Sequence, residues 1–300
     1  MKKKTLLLLI PALPVLVALV AFLRLLTATT DNDEHERIYI TETTKRARVG
    51  SYVVQPHMRK TVLAKKMRRG QQDPLRLTIG KFRLPQDLNA YLDEKLMHDD
   101  FDVPLDSFHL VRPDTYEVYW TVSPDAFMQR MRKEYRHFWN KELAKLPGMP
   151  TGSDSLTLSG VRLALRDIVI LASIVEEESN NNVEKPLIAS VYLNRLRLGM
   201  PLQADPTVKY AVGDFTLRRI LFEHLDTESP FNTYLHTGLP PAPVCLPSTA
   251  SVDAVLNAPQ TDYLYFCASP ALDGTHRFAT SLAGHNRNAA AYHAAIARLR

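Results

Sequence analysis

Ile170-Leu-Ala-Ser-Ile-Val-Glu-Glu-Glu-Ser179 decides how this chain is read. Its apolar spacing predicts a helix over Leu163 to Ser179 that ends in three glutamates. Successive helical side chains lie about 100° apart. Glu178 then projects between Leu171, Ile174 and Val175, the bulkiest apolar stripe. Glu176 projects with Val169, Ala172 and Ser173, and Glu177 lies nearer Ile170 and Ser173. A carboxyl set in an apolar stripe loses solvation, which disfavours its charged form and keeps it protonated near neutral pH. Cleavage of a glycosidic bond needs an acid of that kind. Three surface glutamates fraying into a loop fit the same letters, so helix geometry alone leaves both readings open.

Polar groups downstream favour the first reading. A second helix is expected over Pro186 to Leu198, with Pro186 in its first turn and Gly199 past its end. It carries Asn194 and Arg195. From Gly199 to Pro247 the chain is rich in Pro, Asp, Asn and Gly and reads as loop. Gln203, Asp205, Thr207 and Tyr210 fall there, followed by Asn232, Thr233 and Tyr234. Loops dense in amides and tyrosines suit a sugar cleft, because amides bond hydroxyls and aromatic faces stack on pyranose rings. Ordinary turn chemistry accounts for many of the same residues. His285 and Asn286 are further polar candidates.

Upstream, strands are expected at Arg37–Thr41, Tyr52–Val54 and Leu75–Ile79, and helices at His57–Arg69 and Asp87–Met97. A strand over Tyr116–Val122 and a long charged helix over Pro124–Ala144 follow. Downstream, Ser251–Asn257 reads as a short helix. Tyr263–Ala268 and His276–Ala279 read as a hairpin, and Asn286–Arg300 as a closing helix. The chain is therefore α+β.

At the start, Lys2, Lys3 and Lys4 precede an apolar run from Leu6 to Leu23, broken only by Pro11 and Pro14. Such a run is long enough to cross a bilayer core of about 30 Å, and lysines before it favour a cytoplasmic N-terminus. A cleaved signal peptide competes with an anchor, but its apolar region would be unusually long and no clean Ala-x-Ala site follows. Either reading places the working domain outside the cytoplasm.

The 300-residue chain is 45% hydrophobic with a net charge of +5, an ordinary globular balance. Its early basic residues, from Lys45 to Arg69, read as a solvated face, and no nucleic-acid-binding pattern accompanies them. Cys245 and Cys267 lack zinc-site spacing, and Cys267 sits in an apolar run where a buried free thiol is normal. The sequence has no HExxH, GxSxG, P-loop or GxGxxG pattern. Metal and cofactor chemistry therefore have no support, and none is expected.

Several stretches together resemble the endolytic murein transglycosylase (YceG-like) family. They are Leu171-Ala-Ser-Ile-Val-Glu-Glu-Glu-Ser179, Ser190-Val-Tyr-Leu-Asn-Arg-Leu-Arg-Leu-Gly-Met200, Leu202-Gln-Ala-Asp-Pro-Thr-Val208, Ser229-Pro-Phe-Asn-Thr-Tyr234 and Gly238-Leu-Pro-Pro241. Tyr263-Leu-Tyr-Phe266 and His285-Asn286 complete the set, in family order across residues 163–293; Pro113-Asp-Thr-Tyr116 also matches. The family usually shows Glu-Lys-Glu-Thr where this chain has Glu-Glu-Glu-Ser. The resemblance implies that Glu178 is catalytic. It leaves Ser179, Asn194, Gln203, Asp205, Tyr210, Asn232, Tyr234, His285 and Asn286 as candidate substrate contacts.

The implied organisation is a cytoplasmic tail (1–4), a transmembrane anchor (5–26) and a linker (27–36). A small, shortened LysM-like module (37–106) and a mixed α+β transglycosylase domain (107–300) follow. The implied reaction is non-hydrolytic cleavage of the β-1,4 bond between N-acetylmuramic acid and N-acetylglucosamine in peptidoglycan, at the outer side of the cytoplasmic membrane. Penicillin-binding synthases are the implied partners. A muramidase-like hydrolase using Glu178 with Asp205, and a non-catalytic wall-binding scaffold, are the alternative classes.

Overall fold

The computed structural model describes residues 26–30, 36–146, 152–217 and 219–299. The chain divides into two compact units. One comprises the described residues up to Leu77 with Asp93–Asp99 and Tyr116–Ser123; the other comprises Thr78–Leu92, Asp100–Thr115 and the chain from Pro124 onward. The chain thus does not divide once near residue 106. Strands β4 (Leu75–Ile79) and β5 (Asp114–Val118) pair with each other, and the division falls inside both.

In the small unit, β1 (Leu26–Thr30), β2 (Glu36–Ile40) and β3 (Gly50–Val54) form an antiparallel sheet in that order. Leu26 pairs with Ile40 and Thr30 with Glu36. The polar stretch expected as a linker therefore contributes a strand, since threonines favour a pleated backbone and β2 offers an open edge. Helix α1 (Lys60–Arg69) ends at Gly70, whose φ of 68° is the left-handed conformation a helix C-terminus favours. Ile40, Ala47, Tyr52 and Met67 form the core of this unit. A LysM-like module would pair β3 with β4; here β3 pairs with β2 and β4 with β5, so that likeness has no support. Among the described residues no helix is long and apolar enough to cross a membrane. The expected anchor lies outside them except for Leu26.

The large unit is built around α4, the helix expected from the opening motif, at Leu165–Glu178. It follows α2 (Pro85–Lys95), α3 (Pro124–Leu143) and a hairpin, β6 (Ser155–Leu158) with β7 (Val161–Ala164). The hairpin takes the residues expected to open the helix. Ser159 and Gly160 both adopt positive φ, 48° and 81°, which a two-residue hairpin turn of this hand requires. Asp167 accepts from the Ala164 backbone N–H at 3.0 Å, which fixes where strand becomes helix. Every residue from Ile168 to Val175 is buried, so α4 is a central helix covered on all sides and not one with a single apolar stripe.

Helix α5 (Lys185–Arg197) and the later α8 (Thr249–Leu256) pack on α4. The stretch expected as loop contains α6 (Asp205–Val212) and the single turn α7 (Phe222–Leu225). Asp205-Pro206 supplies an acid and a proline in the first turn of α6, and Gly213 ends it at a φ of 77°. A hairpin of β8 (Tyr265–Ala268) and β9 (His276–Ala279) and the closing α9 (Leu282–Ala297) complete the unit. Ser281 caps α9 by accepting from the Gly284 N–H at 3.2 Å, which places His285 in its first turn and Asn286 just past it.

Candidate active site

The three glutamates ending α4 meet three different environments. Glu176 Oε2 accepts from Ser248 Oγ at 2.6 Å, Ser251 Oγ at 2.5 Å and Lys185 Nζ at 3.1 Å. Burial would raise its pKa, but these hydrogen bonds and the ammonium together hold it below the usual value. Its partners sit at the starts of α5 and α8, so Glu176 ties three helices together. Glu177 Oε2 accepts from Arg83 Nε at 3.1 Å and Nη2 at 2.8 Å, and Lys81 Nζ forms an ion pair with Oε1 at 2.9 Å. Burial again opposes ionisation, and again the two cations outweigh it, so Glu177 stays below the usual range.

Glu178 has no cation at hydrogen-bond distance among the described residues. Its hydrogen-bond partner is Tyr192, on α5, whose Oη donates to Oε1 at 2.6 Å. The residue keeps a partial opening to solvent, yet protein surrounds most of the carboxyl, and this burial pushes its pKa up to about 7. The Tyr192 hydrogen bond works against the rise, Asp205 adds to it, Lys209 opposes it and Glu177 adds a little. One carboxyl of the three is thus poised to give a proton near neutral pH and to take one back. This is the feature that marks the site.

Among the sequence candidates, Asp205 and Tyr234 join Glu178. Tyr234 Oη donates to Asp205 Oδ1 at 2.7 Å. Asp205 is exposed at the start of α6, and Lys209 lies one turn further on. Tyr210 faces another way: its ring lies 4.3 Å from that of Phe231 and packs on the main core. Gln203, at a φ of 51°, takes a hydrogen bond on Oε1 from Arg195 Nη1 at 3.2 Å. Arg195 also reaches the carbonyls of Leu264, Pro201 and Leu202, so it clamps the loop that leads into α6. The ring of Tyr265 lies under Arg195 and 5.5 Å from the ring of His285. The His285 pKa is lowered by burial and by Arg195. Asn286 is exposed.

Two candidates are structural instead. Asn194 is 3% exposed, and its amide donates to the carbonyls of Thr261 at 2.8 Å and Tyr263 at 3.0 Å. Asn232 is fully buried; its amide donates to Leu225 and Thr227, and its Oδ1 accepts from the Tyr234 N–H. Both satisfy backbone groups that would otherwise be buried without partners. Ser179 ends α4, and its Oγ accepts from the Asn181 N–H. Sequence reasoning misses Tyr192, Lys209, Arg83 and Lys81. Tyr192 stands two positions before Asn194 in the same motif. Residues two apart on a helix face nearly opposite ways, so the polar face that Asn194 marks is not the one that meets Glu178. No group of three His, Cys, Asp or Glu side chains suited to a metal occurs among the described residues.

A largely enclosed, protonatable glutamate at a helix C-terminus, beside a tyrosine and a second carboxylate, defines a candidate acid–base site. The sequence profile described as YceG-like family matches residues 21–291, and the chain belongs to that family. It is 40% identical over 126 residues to the endolytic murein transglycosylase of Bacillus subtilis (strain 168), covering 42% of this chain and 34% of that one. To the protein of the same name from Streptococcus pneumoniae (strain D39) it is 35% identical over 138 residues, covering 45% and 25%. The matches therefore span about a third or less of those relatives. A crystal structure titled as a yceG-like protein from Listeria monocytogenes superposes with a TM-score of 0.51 at 27% identity, covering 81% of this chain and 85% of that one.

Proposed function

We propose that this chain is a lytic transglycosylase that cuts peptidoglycan glycan strands without water, with Glu178 as both acid and base. The observation that carries this reading is the sorting of the three glutamates: two are held ionised by cations and hydroxyls, and Glu178 alone is pushed up to about 7. The names of the relatives, endolytic murein transglycosylase, support the same substrate class.

Protonated Glu178 gives its proton to the glycosidic oxygen between N-acetylmuramic acid and N-acetylglucosamine, and that bond breaks. Positive charge develops at the muramyl anomeric carbon, where the sugar's own N-acetyl carbonyl can stabilise it. Glu178, now a carboxylate, is stabilised by the Tyr192 hydroxyl and by Lys209. It takes the proton from the C6 hydroxyl of the same sugar, whose oxygen closes a 1,6-anhydro ring. One carboxyl serves both steps, so a second catalytic acid is not required. Asp205, held by Tyr234, orients the sugar. The apolar run from Leu6 to Leu23, ahead of β1, anchors the chain in the cytoplasmic membrane with the large unit outside. There it meets nascent strands and the penicillin-binding synthases that make them.

The test is mass spectrometry of uncrosslinked glycan strands incubated with the full chain, wild type beside Glu178→Gln. New 1,6-anhydro ends from wild type alone are expected. Reducing ends would point to a hydrolase using Asp205, anhydro ends from the variant would move catalysis to another group, and no new ends would point to a scaffold.

A further inference from the structure

The Tyr192 hydroxyl donates to the Glu178 carboxyl, and it reaches a single oxygen, Oε1, at 2.6 Å. Tyr192 is 1% exposed, its ring packed edge-on against Phe266 at 5.9 Å. The hydroxyl therefore has little freedom to turn away. Helix α5 carries it, and Asn194 and Arg195 on that helix bind the backbone at Thr261, Tyr263 and Leu264. The helix is thereby fixed against the chain leading into the β8–β9 hairpin.

We propose that Tyr192 is a positioning residue that reserves Oε1 of Glu178 as the acceptor oxygen, so that Oε2 both delivers the proton to the leaving oxygen and collects the later one. This rests on the assignment of Glu178 as acid and base. A carboxyl with two equivalent free oxygens could carry its proton on either, and only one of them can face the bond to be cleaved. A donor held on Oε1 removes that choice while the acid is neutral. Once the acid is ionised, the same bond strengthens, because a hydrogen bond to a charged acceptor is the stronger kind. The burial of Tyr192 raises its own pKa, so it remains a donor throughout the working range.

Other charges face Glu178 as well. Glu177 comes from its own helix, Asp205 and Lys209 from α6, and Tyr234 from the turn that follows Asn232. Arg195 acts on Tyr192 from one turn along α5. Tyr192 alone among them hydrogen-bonds the carboxyl, so its loss removes geometry as well as charge stabilisation.

The test uses the full chain and Tyr192→Phe, which keeps the ring and its packing. The Glu178 midpoint is read without reference to turnover, from the infrared C=O band of a protonated carboxyl that Glu178→Gln removes. Loss of the donor leaves burial unopposed, so the midpoint rises by about one pH unit. The alkaline limb of the activity profile moves by the same amount, and turnover at its optimum falls severalfold. Phe266→Leu, which loosens the ring but keeps the hydroxyl, leaves the midpoint in place. An unchanged midpoint in Tyr192→Phe, or an equal shift in Phe266→Leu, would overturn the proposal, because packing alone would then explain Tyr192. A shifted midpoint in a protein that makes reducing ends in place of anhydro ends would keep the Tyr192 assignment and sink the lytic reading; no new ends of either kind would overturn both.

Discussion

Replacing Glu178 with Gln stabilises the large unit at alkaline pH, and the gain follows the titration of the carboxyl. Burial raises the Glu178 pKa from 4.5 to about 7. A group whose folded pKa lies above its unfolded value supports folding below the unfolded value and loses that support as pH rises through the folded one. Wild-type stability therefore declines across roughly pH 4.5 to 7 relative to a protein that cannot ionise there. Each pH unit across that interval costs about 1.4 kcal/mol, so the full effect approaches about 3 kcal/mol above pH 8. The partial opening of the residue to solvent makes that an upper value. Gln keeps an oxygen to accept from Tyr192 and fills nearly the same volume, so packing changes little. Urea unfolding at pH 5, 6, 7 and 8 would be followed by Trp139 fluorescence in a Trp120→Phe background, because Trp139 is buried in the large unit. The stability difference should be small at pH 5 and grow to between about 2 and 3 kcal/mol at pH 8. A difference that stays flat with pH would mean that Glu178 titrates like an exposed glutamate, and the acid–base argument would fall with it.

Other expectations follow from the same geometry. The specificity constant kcat/KM should fall roughly tenfold between pH 6 and pH 8, because only protonated Glu178 can begin the reaction and kcat/KM reports the free enzyme; a rising profile would exclude it as the acid. Glu176→Gln should cost about 3 kcal/mol in urea unfolding, because Lys185, 5% exposed, loses its carboxylate; an unaltered midpoint would show that the two serines suffice. Asn194→Ala should lower stability by about 2 kcal/mol through the unsatisfied carbonyls of Thr261 and Tyr263, with KM unchanged; a raised KM at full stability would restore it as a substrate contact. Asp205→Asn should raise KM while the products keep anhydro ends; a large fall in kcat with unaltered KM would make Asp205 a second catalytic group.

Much of the architecture was legible because it is written in local pattern. The apolar run before Glu176 specified α4, Pro186 and Gly199 bracketed α5, and the two short strand-like runs marked β8 and β9. Elements went unread where local signals were weak or ambiguous. The Ser159-Gly160 turn was hidden inside an apolar stretch that also suits a helix. Asp205-Pro206 suits turn chemistry, although the same pair opens a helix.

The chemical site divides in the same way. Helical periodicity alone placed Glu178 on an apolar face, and the run of residues into which it falls is buried. Yet Glu176 and Glu177 are largely buried as well, with side chains 14% and 12% exposed, so burial by itself does not distinguish the three. Their difference comes from partners distant in sequence: Lys81 and Arg83 for Glu177, Lys185, Ser248 and Ser251 for Glu176, and an uncharged tyrosine for Glu178. A sequence determines which groups a helix turn can present and in which direction. Which charges arrive to meet them is decided when other segments pack, because a pKa is set by burial and by neighbours within a few ångströms, and those neighbours are assembled only in the tertiary structure.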